Sequence, residues 1–139
     1  MVLPLTASRL SFRVVRKLLP QAHATGTLRV VIYGAGDGGE LMLRELRHNA
    51  RLGRTPVAFI DDDPRKAGRL LNGLPVVTPN GPGSIAALCR AHGAEELLIS
   101  TSKLPVARVQ RAADECRAAG VAVGRMTVEI SALSPDDPA

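Results

Sequence analysis

Cysteine is scarce in this sequence: Cys89 and Cys116 are the only two in 139 residues. They fall in different predicted helices, form no C-x-x-C, and have no histidine spaced to join them, since His23, His48 and His92 are scattered. That excludes the common zinc patterns and a disulfide framework. It points to a reducing compartment in which both thiols act as small buried apolar groups. Long apolar runs are missing too. None approaches the roughly 20 residues that a bilayer-spanning helix needs, and Arg and Lys interrupt the N-terminus where a signal peptide would carry its apolar stretch. The chain is expected to be soluble or peripheral and cytoplasmic, with the inner face of the membrane as its peripheral site. Acidic residues are absent before residue 30, where Arg9, Arg13, Arg16, Lys17 and Arg29 supply five positive charges. The remaining basic and acidic residues cancel, so the net charge of +5 describes an N-terminal arm on a neutral domain. The length suits a single domain, and no internal repeat is visible.

What is present centres on Leu28 to Glu40, LRVVIYGAGDGGE. Leu28 to Tyr33 is apolar and β-branched on consecutive residues, as expected of a parallel strand covered on both faces. Gly34, Gly36 and Gly39 then give the spacing G-x-G-x-x-G. In such a loop the first glycine allows a tight turn, the second lets a pyrophosphate approach the backbone, and the third lets the next helix pack close to the strand. That helix, Asp37 to Asn49, aims its N-terminal N–H groups and positive dipole end at the loop, which suits an anionic phosphate. Gly34, Ala35, Gly36, Asp37, Gly38 and Gly39 are therefore candidate cofactor-binding residues.

A lone glycine motif is weak, but the context adds a carboxylate. Pro56 to Ile60 reads as the next strand and delivers Asp61, Asp62 and Asp63 at its carboxyl end. Asp61 lies about 20 residues past Gly39, where a ribose-binding acid is expected. An acid there accepts from ribose hydroxyls and repels a 2′-phosphate, which favours NAD over NADP. Asp62 is the second candidate contact, with solvation as its alternative, and Asp63 before Pro64 reads as a turn initiator. Arg65, Lys66 and Arg69 follow closely and offer a phosphate an alternative partner, which leaves NADP open.

Residues 1–27 read as a basic arm and linker, 28–126 as the nucleotide-binding domain, and 127–139 as a loose tail. Within the arm, Ser8 to Leu19 mixes apolar residues with four cations and stops at Pro20. It suits an anionic membrane surface, or a helix packed on the domain. Further along, Arg65 to Gly73 is a polar excursion and Leu74 to Val77 a third strand near an edge. Ile85 to His92 is a helix, and Glu96 to Ser100 a fourth strand that puts Thr101 and Ser102 at its ligand-facing carboxyl end. Lys103 to Gly120 is a helix and Val121 to Met126 a fifth strand. The alternation predicts an α/β fold: a Rossmann-like, doubly wound parallel sheet of order 3-2-1-4-5 with helices on both faces.

With these residues in place, Arg29 to about Met126 resembles the Rossmann-like N-terminal nucleotide-binding domain of membrane-associated polysaccharide biosynthesis proteins. Those include nucleotide-diphosphate-sugar epimerases/dehydratases of the capsular type and polyprenyl-phosphate sugar phosphotransferases. The resemblance rests on VVIYGAGDGGELMLREL, RTPVAFIDDDPRKAGRLLNGLPVVTP and EELLIST, in that order. It implies a nucleotide ligand and a polysaccharide-assembly membrane protein as partner, with SRLSFRVVRKLLP as a juxtamembrane connector. The dehydratase/epimerase site uses a Tyr with a Lys four residues later, whereas Tyr33 is the only tyrosine here and residue 37 is Asp. No G-x-S-x-G occurs either, so catalysis by this chain alone is not expected.

Three other readings stand beside the NAD-binding module. F-x-D-x-D-P-x-K-x-G, carried by Phe59, Asp61, Asp63, Pro64, Lys66 and Gly68, is similar to the NADH-binding half of redox-sensing repressors of the Rex type. Twenty-seven residues cannot build their winged helix, so nucleic-acid binding is not expected. CoA fits the same architecture, because it also carries a pyrophosphate, and UDP-sugars are a further candidate. Last, the glycines can serve packing alone in an interaction or homo-oligomerisation module.

Overall fold

The computed structural model describes residues 10–16, 27–100, 104–130 and 132–136. Five strands run parallel: β2 (Leu28–Tyr33), β3 (Arg54–Ile60), β5 (Leu74–Val77), β6 (Glu96–Ile99) and β7 (Ala122–Ile130). Their spatial order is β7-β6-β2-β3-β5, which is the expected 3-2-1-4-5. The sheet reverses its winding at β2, so the crevice between the carboxyl ends of β2 and β6 lies where open α/β sheets take their ligands.

Successive strand residues face opposite sides of a sheet, and here both sides are buried. Val30, Ile32 and Phe59 pack with Met42, Leu43 and Leu46 of helix α1 (Asp37–His48) on one face. Val31, Tyr33, Ala58 and Ile60 pack on the other with Ile85, Ala86 and Cys89 of α2 (Ser84–Ala91) and Ala112, Ala113 and Cys116 of α3 (Val106–Ala118). This two-sided cover explains why the strands read as unbroken apolar runs. The spacing of Gly39, Met42, Leu43 and Leu46 puts one stripe of α1 against the sheet.

Three expectations are corrected. The segment expected as a membrane-lying or helical arm contains a strand, β1 (Leu10–Arg16), antiparallel to β7 with Leu10 opposite Ile130 and Arg16 opposite Gly124. Phe12, Val14 and Val15 are good strand formers, and β7 offers an open row of backbone donors and acceptors. For the same reason Thr127–Ile130 belongs to β7 rather than to a loose tail. The polar excursion contains a 3-10 turn at Pro64–Lys66 and a short strand β4 (Leu70–Leu71) antiparallel to β5. Asn72 (φ 52°) and Gly73 (φ 88°) form the turn between β4 and β5. An Asn-Gly pair is the usual two-residue hairpin turn, because both positions need the left-handed region. Most of the Gln21–Thr27 linker, with Ser8, Arg9 and Lys17, lies outside the described residues.

At the amino ends of the strands Arg54 and Glu96 flank the start of β2. Their side chains meet in two bonds of 2.7 and 3.3 Å, with Glu96 1% exposed. Arg54 also donates to the Leu52 carbonyl at 2.6 Å. Glu96 is the one buried charged residue among those described.

Candidate functional site

The glycine loop leaves β2 at Tyr33 and turns at once. Gly34 takes φ 114° and donates its N–H to the Ile60 carbonyl at 2.7 Å, which ties the loop to the end of β3. Gly39 lies so close beneath it that a Cβ there would run into the Gly34 carbonyl oxygen and come within 3.1 Å of the Phe59 ring. Gly36, the residue just before α1, is different. Its backbone is extended, and a Cβ would meet nothing within 4 Å. No side chain caps the start of α1, so its first N–H groups face the loop without a protein cap.

A cleft of about 410 Å³ opens over this helix start. Gly34, Gly36, Asp37, Gly38 and Gly39 form one wall, Asp61, Asp62 and Lys66 a second, and Tyr33, Ser100 and Leu104 the rest. Such a volume is within the range of small-molecule sites. Eight of the ten residues singled out in the sequence thus come together: seven line the cleft, and Ala35 lies in the loop itself with its N–H on Asp61. Thr101 and Ser102 lie outside the described residues. Ser100, just before them, donates its hydroxyl to the Tyr33 carbonyl at 2.8 Å and ties β6 to the loop.

The three carboxylates differ from one another. Asp61 accepts from the Ala35 N–H at 2.8 Å and from the Asp63 N–H at 2.9 Å, with the Lys66 ammonium 3.5 Å away. Oδ2 braces the glycine loop through Ala35 and Oδ1 holds the turn at Asp63, tasks not visible in the spacing. Asp62 is not simply solvated. It accepts from the Tyr33 hydroxyl at 2.8 Å and pairs with Arg108 of α3 at 2.8 and 3.1 Å. The Arg108 guanidinium, helped by the phenol, holds the Asp62 carboxyl below the usual carboxylate range despite burial that opposes it. Asp63 accepts from the Arg65 N–H at 3.0 Å and pairs with its guanidinium, as a turn initiator should. That pairing holds its carboxyl down at about 2.

Tyr33 is fully buried. Desolvation, then the bond to anionic Asp62, pushes its phenol well above the ordinary value. It therefore stays protonated at neutral pH and serves as a donor rather than a base. On the far side of the sheet from α1, Cys89 and Cys116 are free, buried thiols facing each other from α2 and α3. The Cys116 sulfur and burial push the Cys89 thiol up, which keeps it unreactive. Among the described residues, no group of three or more His, Cys, Asp or Glu is placed to hold a metal ion, and no helix is long and apolar enough to cross a membrane.

The residues missed in the sequence are Tyr33, Ser100, Leu104 and Arg108. Of the three cations weighed there as phosphate partners, Lys66 is the one that lines the cleft; Arg108 had no signal, because it reaches Asp62 from 46 residues away.

A family model for a CoA-binding domain matches residues 1–126. The chain belongs to this family. It is 31% identical over 122 residues to the probable polysaccharide biosynthesis protein EpsC of Bacillus subtilis (strain 168), covering 88% of this chain and 20% of that protein. The chain thus spans about a fifth of the length of that relative. Among solved structures it is similar to UDP-D-quinovosamine 4-dehydrogenase from Vibrio fischeri (TM-score 0.61, 24% identity, 72% of this chain and 78% of that one). It is also similar to RSP, a Rex-family repressor (TM-score 0.55, 19% identity, 69% and 43%), which has been solved with β-NADH and with β-NAD+ and operator DNA. At these identities both structures speak for the fold. Family, relative and fold together make this a Rossmann-like nucleotide- or CoA-binding domain related to those of polysaccharide biosynthesis proteins.

Proposed function

We propose that the domain binds a pyrophosphate-bearing nucleotide, with NAD as first candidate, and acts as the non-catalytic module of a polysaccharide biosynthesis protein at the cytoplasmic face of the membrane. The observation that carries this reading is Gly36. Gly34 is needed for the turn and Gly39 for the approach of α1, but nothing in the protein occupies the space a side chain at Gly36 would fill. A glycine that faces an open cleft at an uncapped helix start leaves room for a phosphate against the backbone. The packing-only reading of the loop has no account of it. Asp61 at the carboxyl end of β3 supports NAD. CoA is the second reading, favoured by the Lys66 ammonium in the cleft wall, and UDP-sugars remain as controls. The relation to EpsC supports the polysaccharide setting. The five positive charges before residue 30, two of them (Arg13 and Arg16) in the strand β1 and not in a membrane-lying arm, support the membrane face through charge alone.

The test is a thermal-shift and calorimetric titration of the full chain with NAD, NADH, NADP, CoA and UDP-N-acetylglucosamine. A ligand that binds only the native state raises its stability by about 2.7 kcal/mol at a hundredfold excess over its dissociation constant. Saturable stabilisation that disappears in Gly36→Val is the expected result. Absence of any saturable ligand would return the loop to a packing role and direct the search to a protein partner or a second copy of the chain.

A further inference from the structure

An unpaired carboxylate at the ribose end of such a cleft selects against a phosphorylated ribose, and the sequence places three there. In the structure none is unpaired. Asp61 lies 3.5 Å from Lys66, Asp62 is 2.8 Å from Arg108, and Asp63 is 3.0 Å from Arg65. Three cations match three anions, so this corner is neutral.

The cations are not equally available. Arg108 spends Nε and Nη2 on Asp62, and Arg65 spends the same two nitrogens on Asp63. Lys66 contacts Asp61 only at the limit of hydrogen-bond reach, and an ammonium has three donors. It alone of the three lines the cleft, with its side chain 34% exposed. Its place is set locally: Asp63 caps the 3-10 turn that Pro64 begins, and the Lys66 N–H bonds the Asp63 carbonyl at 3.0 Å. Asp61 meanwhile has its charge spread over two backbone N–H groups.

We infer that Lys66 is a specificity-determining residue that recognises a phosphate monoester on the ribose of the bound nucleotide, so that the Asp61 corner accepts such a group instead of repelling it. The inference rests on the nucleotide-binding reading above and, within it, moves the preference from NAD, whose ribose carries no phosphate monoester, to a phosphorylated ligand. Two ligands carry this chemistry: CoA, with a 3′-phosphate, and NADP, with a 2′-phosphate.

The experiment is calorimetry of the full chain with two matched pairs, CoA against dephospho-CoA and NADP against NAD. In one pair the phosphorylated member is expected to bind about tenfold more tightly, the scale of one charge-assisted contact. The pair that shows the difference identifies the source of the phosphate. Lys66→Met should weaken only the phosphorylated member and erase the difference, while Arg65→Ala preserves it. Asp61 keeps its two backbone donors in Lys66→Met, and an unchanged melting temperature will confirm the fold. Equal affinity within both pairs, or a preference that survives Lys66→Met, overturns the inference and leaves nucleotide binding standing. No binding of any of the four overturns the inference, and if NADH and UDP-N-acetylglucosamine are silent as well it overturns the nucleotide-binding reading too.

Discussion

Gly34, Gly36 and Gly39 belong to one motif but answer to different forces, and single substitutions should separate them. Gly39→Ala drives a methyl group into the backbone of Gly34, an overpacking that backbone cannot relieve by a rotamer change. It is expected to cost about 2 to 3 kcal/mol in urea denaturation. Gly36→Ala meets open space and should stay within about 0.5 kcal/mol of the parent. Tyr33 offers a second measurement at this scale, because with one tyrosine and no tryptophan its ionisation is read without interference. Its folded pKa is raised above the ordinary 10.0. The stability it contributes is therefore complete below pH 10 and is lost as the pH rises beyond it, by at most about 1.4 kcal/mol per pH unit. Tyrosinate absorbance should appear only with unfolding, and Tyr33→Phe should flatten this limb of the stability curve. Asp62 runs the other way: its depressed folded pKa adds stability above the ordinary carboxylate value that fades as the pH falls through the acid range, screened by its partial exposure. Little of this was legible in the sequence. The spacing marked Asp61 for a ligand but was silent on the Ala35 and Asp63 N–H groups it accepts, and a pair such as Asp62 and Arg108 exists only once the strands are ordered.

Elements were more legible than residues where a repeating pattern stood behind them. The five parallel strands, their order and the three helices follow from unbroken apolar runs, the glycine loop and the rule that crossovers are right-handed. β1 was missed because its cations suggested a surface helix, while the edge of β7 that it covers is a property of the folded sheet. β4 was missed for a smaller reason: Asn72-Gly73 is a hairpin signal, but the strand beside it has only two residues. The pairing of β1 over Leu10–Arg16 with β7 over Gly124–Ile130 has a direct consequence. A chain starting after residue 16 uncovers that edge, and uncovered edges recruit other strands. Such a truncation should be less stable and associate with rising concentration in sedimentation equilibrium, whereas a monomer of undiminished stability would show that β1 contributes nothing.

At the scale of the whole molecule the two ends of the sheet have separate tasks. The carboxyl ends carry the cleft, where carboxylates and cations stay partly exposed. The amino ends carry Arg54 and Glu96, a pair shut away from solvent with every contact made inside the protein. Breaking one partner of a buried ion pair strands the other, so Glu96→Ala should cost about 3 to 5 kcal/mol. Glu96 is in register with Val30, and Ile99, at the carboxyl end of β6, with Tyr33, next to the loop. At about 3.3 Å per residue that is about 10 Å of strand, far enough for the two ends to be energetically independent. Glu96→Ala should therefore lower the urea midpoint while leaving calorimetric affinity for the cleft ligand unchanged, and Gly36→Val should do the reverse. In the double variant the loss of stability and the loss of affinity should each match that of the corresponding single variant to within about 0.5 kcal/mol. A larger coupling would mean that the sheet transmits strain from the Glu96 end into the glycine loop, along β2, the strand that joins them.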